Sequence, residues 1–295
     1  MKILLLGKNG QVGWELQRAL APLGEIIALD RHSTDYCGDL TDPTGIEKTV
    51  WDIKPDVIVN AAAYTAVDKA ESDLHNAELI NATSVKALAC AARDVGALLV
   101  HYSTDYVFDG SGERPWNEDD ATAPLNAYGK TKRQGEEAII ADAPHYLILR
   151  TSWVYAAKGN NFAKTMIRLA QEREALSVIN DQFGAPTGAE LIADSTAHAI
   201  KATLANPEKS GIYNLIASGV TTWHAYAEFV LNCVREKGLE LKVKAVNTVE
   251  TAAFPTPAKR PSNSRLNTSK FTSVFELTLP EWKVGVKRML DELYN

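Results

Sequence analysis

The stretch KILLLGKNGQVG, residues 2–13, decides the fold of this 295-residue chain. An apolar run there ends in a G-x-x-G-x-x-G loop made by Gly7, Gly10 and Gly13, and a helix-forming sequence follows directly. Glycine suits these positions because the turn is tight, the backbone must approach a pyrophosphate closely, and the helix must pack on the strand. The stretch therefore predicts a dinucleotide-binding strand, loop and helix, with an ordinary glycine-rich turn as the alternative.

Outward from this loop, short apolar runs alternate with longer stretches of helical composition. The predicted strands cover residues 2–6, 26–29, 57–60, 98–103 and 146–150. The predicted helices cover residues 10–21, 43–54, 74–94 and 127–141, and glycines or prolines mark most of the stops between elements. This alternation is typical of βαβ units, so we expect an α/β fold with a Rossmann-type parallel sheet and helices on both faces.

The alternation weakens after residue 150, which indicates a second unit. We expect a dinucleotide-binding Rossmann domain over residues 1–150, completed by about residues 190–217. A smaller C-terminal α/β substrate lobe is expected over residues 151–189 and 218–295. In this half the sequence predicts helices at 162–173 and 189–204, a strand at 213–216, and loops at 181–188 and 254–267, the latter interrupted by three prolines.

Composition and charge exclude several classes of protein. With 45% hydrophobic and 23% charged residues, the chain has the profile of a globular protein and not of a disordered or fibrous one. Its formal charge of -6 and the lack of a long apolar segment predict neither a nucleic-acid nor a membrane partner. The widely spaced Cys37, Cys90 and Cys233 fit neither disulfides nor a metal site, so we expect a cytoplasmic protein.

Two charged residues after the second predicted strand bear on the choice of cofactor. Asp30 lies at the roughly 20-residue offset from the glycine loop at which a carboxylate meets the adenosine ribose, and this favours NAD. Arg31 follows it, and a guanidinium there can pair with the 2'-phosphate of NADP. The sequence therefore predicts use of both NADH and NADPH. Asp39 and Leu40 are expected near the adenine, or else as a loop acid beside a core leucine.

A YxxxK pattern, Tyr128 to Lys132, begins a predicted helix. At this spacing the two side chains lie one turn apart on the same face. A phenol with a pKa of about 10 is a poor acid-base group at neutral pH. A positive charge about 4 Å away favours the phenolate by roughly 4 kcal/mol, equivalent to about three pKa units. We therefore expect Lys132 to lower the pKa of Tyr128 into the range where general acid catalysis is effective.

Hydroxyl side chains lie at the carboxyl end of the strand predicted at 98–103. Ser103 and Thr104 would lie at the carboxyl edge of the sheet, where open α/β folds bind ligands. Thr104 could then hydrogen-bond a carbonyl oxygen as it acquires charge and align it with Tyr128. The alternative is that both hydroxyls simply cap the strand end.

Taken together, these motifs resemble the extended short-chain dehydrogenase/reductases. The glycine loop, NAAA at 60–63, STDYVFDG at 103–110 and YGKTK at 128–132 occur in the order and spacing of that superfamily. Within it, the STDYVFDG string, the DQFGAPT loop at 181–187, and Arg260-Pro261 followed by Ser264 and Leu266 are similar to the dTDP-4-dehydrorhamnose reductase family. The similarity extends over essentially the whole chain.

The resemblance implies an activity and a set of residue roles. The activity is NAD(P)H-dependent reduction of the C4 ketone of dTDP-4-dehydro-beta-L-rhamnose to dTDP-L-rhamnose, the last step of dTDP-rhamnose synthesis for cell-surface polysaccharide such as the O-antigen of lipopolysaccharide. The implied catalytic set is Thr104, Tyr128 and Lys132. The implied cofactor residues are Gly7, Gly10, Gln11, Val12, Gly13, Asp30, Arg31, Asp39, Leu40, Ala62, Ala63, Tyr64, Tyr128 and Lys132.

For the sugar nucleotide, the resemblance places Asp105 and Tyr106 near the hexulose, Trp153 over the sugar or the base, and Arg260 near the diphosphate. Arg260 has the strongest chemical argument, because a guanidinium fork fits phosphate oxygens and the protein is acidic overall. Trp153 is equally well explained as a core aromatic after a strand. Thr104 stands where many relatives have serine, which preserves the hydroxyl.

Relatives that are dimers bridged by magnesium suggest a metal site as well. Glu15, Glu190 and Glu292 are the candidate ligands, since a hard cation prefers oxygen. We therefore expect a homodimer with Mg²⁺, with solvated surface glutamates as the alternative.

Two rival functions share most of these motifs. A nucleotide-sugar epimerase of the same superfamily has the same cofactor site and Tyr-Lys pair, but it recycles its bound NAD. A non-catalytic, cofactor-binding regulatory subunit, like the partners of methionine adenosyltransferase, is built on the same framework. The presence of both Tyr128 and Lys132 argues against that second rival.

Overall fold

A parallel sheet forms the centre of the computed structural model, which describes residues 1–294. The strands are β1 (Lys2–Leu6), β2 (Glu25–Leu29), β3 (Val57–Asn60), β4 (Leu98–Thr104), β5 (Tyr146–Thr151), β6 (Val154–Tyr155), β7 (Ala175–Ile179), β8 (Phe183–Gly184), β9 (Thr187–Gly188), β10 (Gly211–Asn214), β11 (Thr221–Thr222) and β12 (Ala245–Val249). The helices are α1 (Gln11–Leu20), α2 (Pro43–Ile53), α3 (Val67–Ala70), α4 (Leu74–Glu78), α5 (Ser84–Val95), α6 (Ala127–Asp142), α7 (Phe162–Glu172), α8 (Ala189–Ala205), α9 (Trp223–Glu236), α10 (Ser269–Phe275) and α11 (Trp282–Tyr294).

Six strands make the main sheet, in the order β2-β1-β3-β4-β5-β10, and every neighbouring pair is parallel. The chain runs outward from β1 to β2, then crosses β1 to reach β3. Strand order therefore reverses beside β1, and a crevice for ligands forms at the carboxyl ends of the strands at such a reversal. The predicted Rossmann-type sheet is confirmed.

Helices cover both faces of the sheet, as its apolar strands require. One face packs against α1, α8 and α10, with Leu16, Ile192 and Phe271 among the fully buried residues. The other face packs against α2, α5 and α6. Because both faces are covered, β1 and β3 are almost wholly apolar, which is why the sequence predicts them within a residue.

A smaller group of elements lies beyond β5. The parallel pair β7-β12 and helices α7, α9 and α11 enclose a third apolar cluster. The predicted loop at 181–188 contains the two short strands β8 and β9, and the strand predicted at 213–216 begins at Gly211 instead. The sequence did not predict α9, α11 or the β7-β12 pair. The domain boundaries themselves stay a prediction, and α10 packs on the main sheet although it falls in the range expected for the second lobe.

Within residues 1–294, no helix has both the length and the apolarity that crossing a membrane requires.

Candidate active site

A cleft of about 1040 Å³ opens at the carboxyl ends of β1 to β5. Nearly all the residues expected to bind the cofactor line it: Gly7, Gly10, Gln11, Val12, Asp30, Arg31, Asp39, Leu40, Ala62, Ala63, Tyr128 and Lys132. All those expected to contact the substrate do so too: Thr104, Asp105, Tyr106, Trp153 and Arg260. The fold thus brings together residues from eight separate segments of the chain, from Gly7 to Arg260.

The glycine loop forms one wall of this cleft. Gly7 has a φ of +85°, and a Cβ there would lie 2.7 Å from the Ala62 amide nitrogen. A Cβ at Gly13 would overlap the Gly7 carbonyl oxygen, so Gly13 lets α1 pack on β1 without itself lining the cleft. Gly10 precedes the first turn of α1, whose free amide groups favour an anion. This cradle fits a pyrophosphate.

Asp30 and Arg31 lie at the far end of the same wall. Asp30 accepts hydrogen bonds from the His32 amide at 2.9 Å and from Ser33, and the His32 bond is the main reason that its pKa is lowered. The carboxylate is therefore ionised at neutral pH, as a partner for ribose hydroxyls requires. The Arg31 side chain is exposed, and its Nε donates a hydrogen bond to His32 at 3.1 Å.

The remaining predicted cofactor residues differ in their exposure to the cleft. Asp39 uses its carboxylate to accept from the Thr41 amide at 2.9 Å, and Leu40 is buried beside it. Tyr64 does not line the cleft, because its hydroxyl donates to Asp73 at 2.9 Å.

The candidate catalytic set meets where β4 ends and α6 begins. Asn126 caps α6 by accepting from the Gly129 amide at 2.8 Å, which fixes the first turn that carries Tyr128. Thr104 is the last residue of β4, and its hydroxyl is within hydrogen-bonding reach of the Tyr128 phenol. The side chains of Thr104, Asn126 and Lys132 are almost wholly buried, whereas that of Tyr128 is half-buried.

The prediction that Lys132 lowers the pKa of Tyr128 is wrong for this structure. Burial raises the pKa of Tyr128 to about 12, and only the Thr104 hydroxyl opposes this shift. Lys132 is turned toward β4, where its Nζ lies 2.9 Å from His101 Nε2 and donates to the Tyr102 carbonyl at 2.7 Å. Burial also lowers the pKa of Lys132, to about 8. Desolvation therefore dominates over the attraction that the spacing suggested.

The substrate side of the cleft is aromatic and polar. Tyr106 meets the Tyr128 ring edge-on, with ring centres 5.7 Å apart. Burial raises the pKa of Asp105 to about 7, and within residues 1–294 one of its carboxylate oxygens is buried without a hydrogen-bond partner. Arg260 forms an ion pair with Asp68 at 2.8 Å, so its positive charge is already partly compensated.

Trp153 adopts a conformation that a core aromatic does not need. Its φ is +48°, in the left-handed region that is costly for a bulky side chain and that clusters at functional sites. Its ring stacks on Trp223 with centres 3.6 Å apart. A Cβ at Gly184 would lie 2.8 Å from this ring, so that glycine makes room for it. The strained backbone favours the ligand-contact interpretation of Trp153.

Several cleft residues were missed by the sequence reasoning. The hydroxyls of Thr151 and Ser152 are buried there and, like that of Ser103, which the sequence did place at this edge, have no hydrogen-bond partner among residues 1–294. Thr151 ends β5 and Ser152 follows it, much as Ser103 and Thr104 end β4, so the same rule about strand ends would have found them. Trp223 lines the cleft from α9, an element that was not predicted.

The three glutamates expected to bind a metal share a second, smaller cavity of about 220 Å³. Burial and then the negative charge of Glu190 raise the pKa of Glu15, and Glu292 adds to this shift. Glu190 also lies 3.4 Å from Arg288. Across residues 1–294, however, no group of three ligating side chains is close enough to hold a metal ion.

A dinucleotide cradle beside a half-buried tyrosine and a buried lysine, one helical turn apart, defines a class of protein. The chain is an oxidoreductase of the extended short-chain dehydrogenase/reductase type, with a Rossmann sheet. Comparison with known proteins narrows this class. The family model for the RmlD substrate binding domain matches residues 1–295, and the chain belongs to the dTDP-4-dehydrorhamnose reductase family.

Individual relatives are similar to this chain over nearly their whole length. The dTDP-4-dehydrorhamnose reductase of Escherichia coli K12 is 65% identical over 295 residues, which cover 100% of this chain and 99% of the relative. A solved reductase from Clostridium acetobutylicum is 39% identical, with 99% of both chains covered and a TM-score of 0.87. The Bacillus anthracis reductase, solved in complex with NADP, is 34% identical, with 99% of both chains covered and a TM-score of 0.88.

Proposed function

We propose that this chain reduces the C4 ketone of dTDP-4-dehydro-beta-L-rhamnose to dTDP-L-rhamnose, with NADPH or NADH as the reductant. The observation that carries the proposal is the convergence of Thr104, Tyr128 and Lys132 in the cleft that the glycine loop begins. The full-length likeness to proteins named dTDP-4-dehydrorhamnose reductase supplies the substrate. The reaction is the last step of dTDP-rhamnose synthesis.

The shape of the cradle supports the following roles for residues of this chain in binding the cofactor. Gly7 to Gly13 and the start of α1 would hold the pyrophosphate, and Asp30 the adenosine ribose. Asp39 and Leu40 would border the adenine, with Ala62 and Ala63 beside the middle of the cofactor. When bound, the cofactor supplies the hydride that reduces the ketone.

The proton comes from the chain itself. Tyr128 keeps its proton at neutral pH because burial raises its pKa to about 12, so it can donate to the oxygen at C4 as that oxygen gains charge. Thr104 is placed to hydrogen-bond the same oxygen and to align it with the phenol. The positive charge of Lys132 would stabilise the phenolate that remains.

The other wall of the cleft would hold the sugar nucleotide. Asp105 and Tyr106 are beside the catalytic tyrosine, which suits contacts with the hexulose, and Trp153 offers a stacking face for the sugar or the base. Arg260 would meet the diphosphate, with Asp68 holding its guanidinium in place. The unpartnered hydroxyls of Ser103, Thr151 and Ser152 are hydrogen-bond groups that a sugar could satisfy. These groups favour a polyhydroxylated ligand.

Arg31→Ala is expected to weaken NADPH binding and to leave NADH binding unchanged. A hydrogen bond to a charged group contributes about 1.5–3 kcal/mol, and an exposed one lies at the lower end, so the Kd for NADPH rises roughly tenfold. Fluorescence titration of both cofactors measures this ratio. The same substitution at Arg168, which is exposed on α7, is the control and should change neither Kd. An equal loss of affinity for NADH and NADPH would show that Arg31 does not bind the 2'-phosphate.

The function itself is tested by supplying purified protein with NADPH and a panel of 4-keto nucleotide sugars. We expect stoichiometric oxidation of NADPH with dTDP-4-dehydro-beta-L-rhamnose and slower turnover with UDP or GDP sugars. The product should have the configuration of L-rhamnose at C4. Turnover without net cofactor oxidation would instead favour the epimerase, and tight cofactor binding with no turnover would favour the regulatory subunit.

Similarity to known proteins supports an epimerase function less well than it supports the reductase function. The Thermus thermophilus UDP-glucose 4-epimerase is 18% identical with a TM-score of 0.81, a likeness that reflects the fold alone.

The proposal includes a homodimer bridged by Mg²⁺. A cation bound in the smaller cavity would be partly coordinated by the glutamates that border it: Glu15, Glu190 and Glu292. Their negative charges repel one another, and a bound cation would relieve that repulsion. One chain does not complete a metal site among its described residues, so a second copy would have to supply further ligands. Removal of metal with EDTA should then lower the sedimentation coefficient, whereas unchanged sedimentation and activity would exclude the bridge.

The proposed setting is the cytoplasm, without a nucleic-acid partner. The three cysteines are free thiols, as a reducing compartment favours. The formal charge of -6 gives no general attraction for a polyanion.

A further inference from the structure

Lys132 is buried without a carboxylate to pair with. Its side chain is 1% exposed, and its Nζ contacts one carbonyl oxygen, that of Tyr102, and one imidazole, that of His101. Glu136, one turn further along α6, is held by Arg150 at 2.9 and 2.7 Å, so its charge is already compensated. Among residues 1–294, no carboxylate forms an ion pair with Lys132. The contact with His101 therefore affects whether Lys132 carries a positive charge.

The proton of His101 can be located from its other neighbour. Asn60 Oδ1 accepts from the Ala62 backbone amide at 3.1 Å, and a backbone amide can only donate, so the orientation of the Asn60 side chain is fixed. Asn60 Nδ2 then faces His101 Nδ1 at 3.1 Å and donates to it. Because Nδ1 is an acceptor, the neutral ring carries its proton on Nε2.

This tautomer points a donor at the lysine. His101 Nε2 lies 2.9 Å from Lys132 Nζ. An ammonium group has no lone pair, so it would face the Nε2–H as a second donor, whereas a neutral amine accepts that hydrogen bond. The hydrogen-bond chain from Ala62 through Asn60 and His101 therefore shifts the equilibrium of Lys132 toward the neutral amine, so that the ammonium form that stabilises the phenolate is kept only at lower pH.

We propose that Asn60 and His101 are positioning residues that set the protonation equilibrium of Lys132, with His101 held as the Nε2–H tautomer and donating to the lysine amine. The inference rests on the proposed function only in placing Lys132 at the catalytic tyrosine. Its consequence is that the stabilisation of the Tyr128 phenolate by Lys132 is lost at a pH set by Asn60 and His101. Burial lowers the pKa of both His101 and Lys132, in the direction that this network requires.

The groups that face Lys132 come from three elements. His101 faces it from β4, Tyr128 and Glu136 lie one turn away on either side in α6, and Arg150 acts from β5 through its pair with Glu136. Among these groups, His101 is the one that donates a hydrogen bond to Lys132 Nζ. The side chain of Asn60 determines which ring nitrogen of His101 carries the proton. The Asn60 side chain is thus the point at which the network can be reversed.

Asn60→Asp reverses it with almost no change in shape. A carboxylate still accepts from the Ala62 amide, but it also accepts from His101 Nδ1, so the ring proton moves from Nε2 to Nδ1. Nε2 can then accept from the ammonium form of Lys132, and the pH at which Lys132 titrates should rise by about one to three units. His101→Gln is the uncharged companion variant, because an amide can turn its oxygen toward Lys132, and it should shift the titration in the same direction.

The test is nitrogen NMR of protein labelled with ¹⁵N in its histidines, recorded without substrate or cofactor. Loss of a signal in His101→Gln identifies His101, and the shifts of its two nitrogens distinguish the tautomers. We expect protonated Nε2 in the wild type, with a shift that follows Lys132 as it titrates, and protonated Nδ1 in Asn60→Asp. Nδ1–H or an imidazolium in the wild type at pH 7 overturns the proposal.

Kinetics give the second readout. The alkaline limb of the kcat profile should move to higher pH in both variants, and an unmoved limb in both overturns the proposal. Because the tautomer is read in the free protein, a chain that reduces no nucleotide sugar, yet shows the Nε2–H tautomer and its switch in Asn60→Asp, supports this inference while contradicting the proposed function.

Discussion

Replacing Tyr128 with Phe should lower kcat about 10²- to 10⁴-fold and leave the Kd for NADPH unchanged. The substitution removes only the hydroxyl, and a positioned general acid contributes a rate factor of that size. The ring would keep its edge contact with Tyr106, and α6 keeps its cap at Asn126, so the cleft should keep its shape. Steady-state kinetics and cofactor titration measure the two quantities separately.

The same change at Tyr146 provides the matched control. Tyr146 is the first residue of β5, at the end of the sheet opposite the cleft, so Tyr146→Phe should retain wild-type turnover. A Tyr128→Phe variant with full kcat would remove Tyr128 from proton transfer and leave Asp105, whose pKa burial raises to about 7, as the next candidate.

Arg150→Ala should reduce the free energy of unfolding by about 3–5 kcal/mol. Arg150 and Glu136 form a two-point ion pair with both side chains 3% exposed, and Arg150 also donates to the Glu118 carbonyl at 2.9 Å. Removing one partner leaves a buried, uncompensated charge, which is more costly than the pair itself is favourable. Urea unfolding followed by circular dichroism measures the loss.

Two further variants separate burial from charge. Arg133→Ala breaks an exposed pair with Glu137 on the same helix and should cost no more than about 1 kcal/mol. Combining Arg150→Met with Glu136→Leu removes both charges and should recover most of the stability. A loss in Arg150→Ala no larger than in Arg133→Ala would show that the buried pair adds nothing.

The strands of the main sheet could be predicted from sequence because burial on both faces leaves an uninterrupted apolar run. Residues 57–60 are an example, since all four are buried. The pair β7-β12 could not, because Ala245–Val249 is mostly exposed and its partner lies 70 residues earlier. Helix α9 did carry a signal that was overlooked: Thr222 caps it, and its buried residues recur with helical spacing.

The candidate site could be predicted as a set of residues but not as an electrostatic environment. The spacing of Tyr128 and Lys132 predicts that they are neighbours on α6, but their burial depends on the packing of the whole cleft. Since burial is the largest contribution to the pKa shift of Tyr128, the direction of that shift was predicted wrongly. The pairing of Arg260 with Asp68 joins segments 192 residues apart and has no local signal.

Transfer of deuterium from the reduced cofactor tests the central claim most directly. The protein would be given NADPH deuterated at the transferable position of the nicotinamide, together with dTDP-4-dehydro-beta-L-rhamnose, and the product examined by NMR. The account predicts one deuterium at C4 of dTDP-L-rhamnose for each NADPH oxidised. A product without deuterium at C4, or one formed with no net oxidation of NADPH, would contradict it.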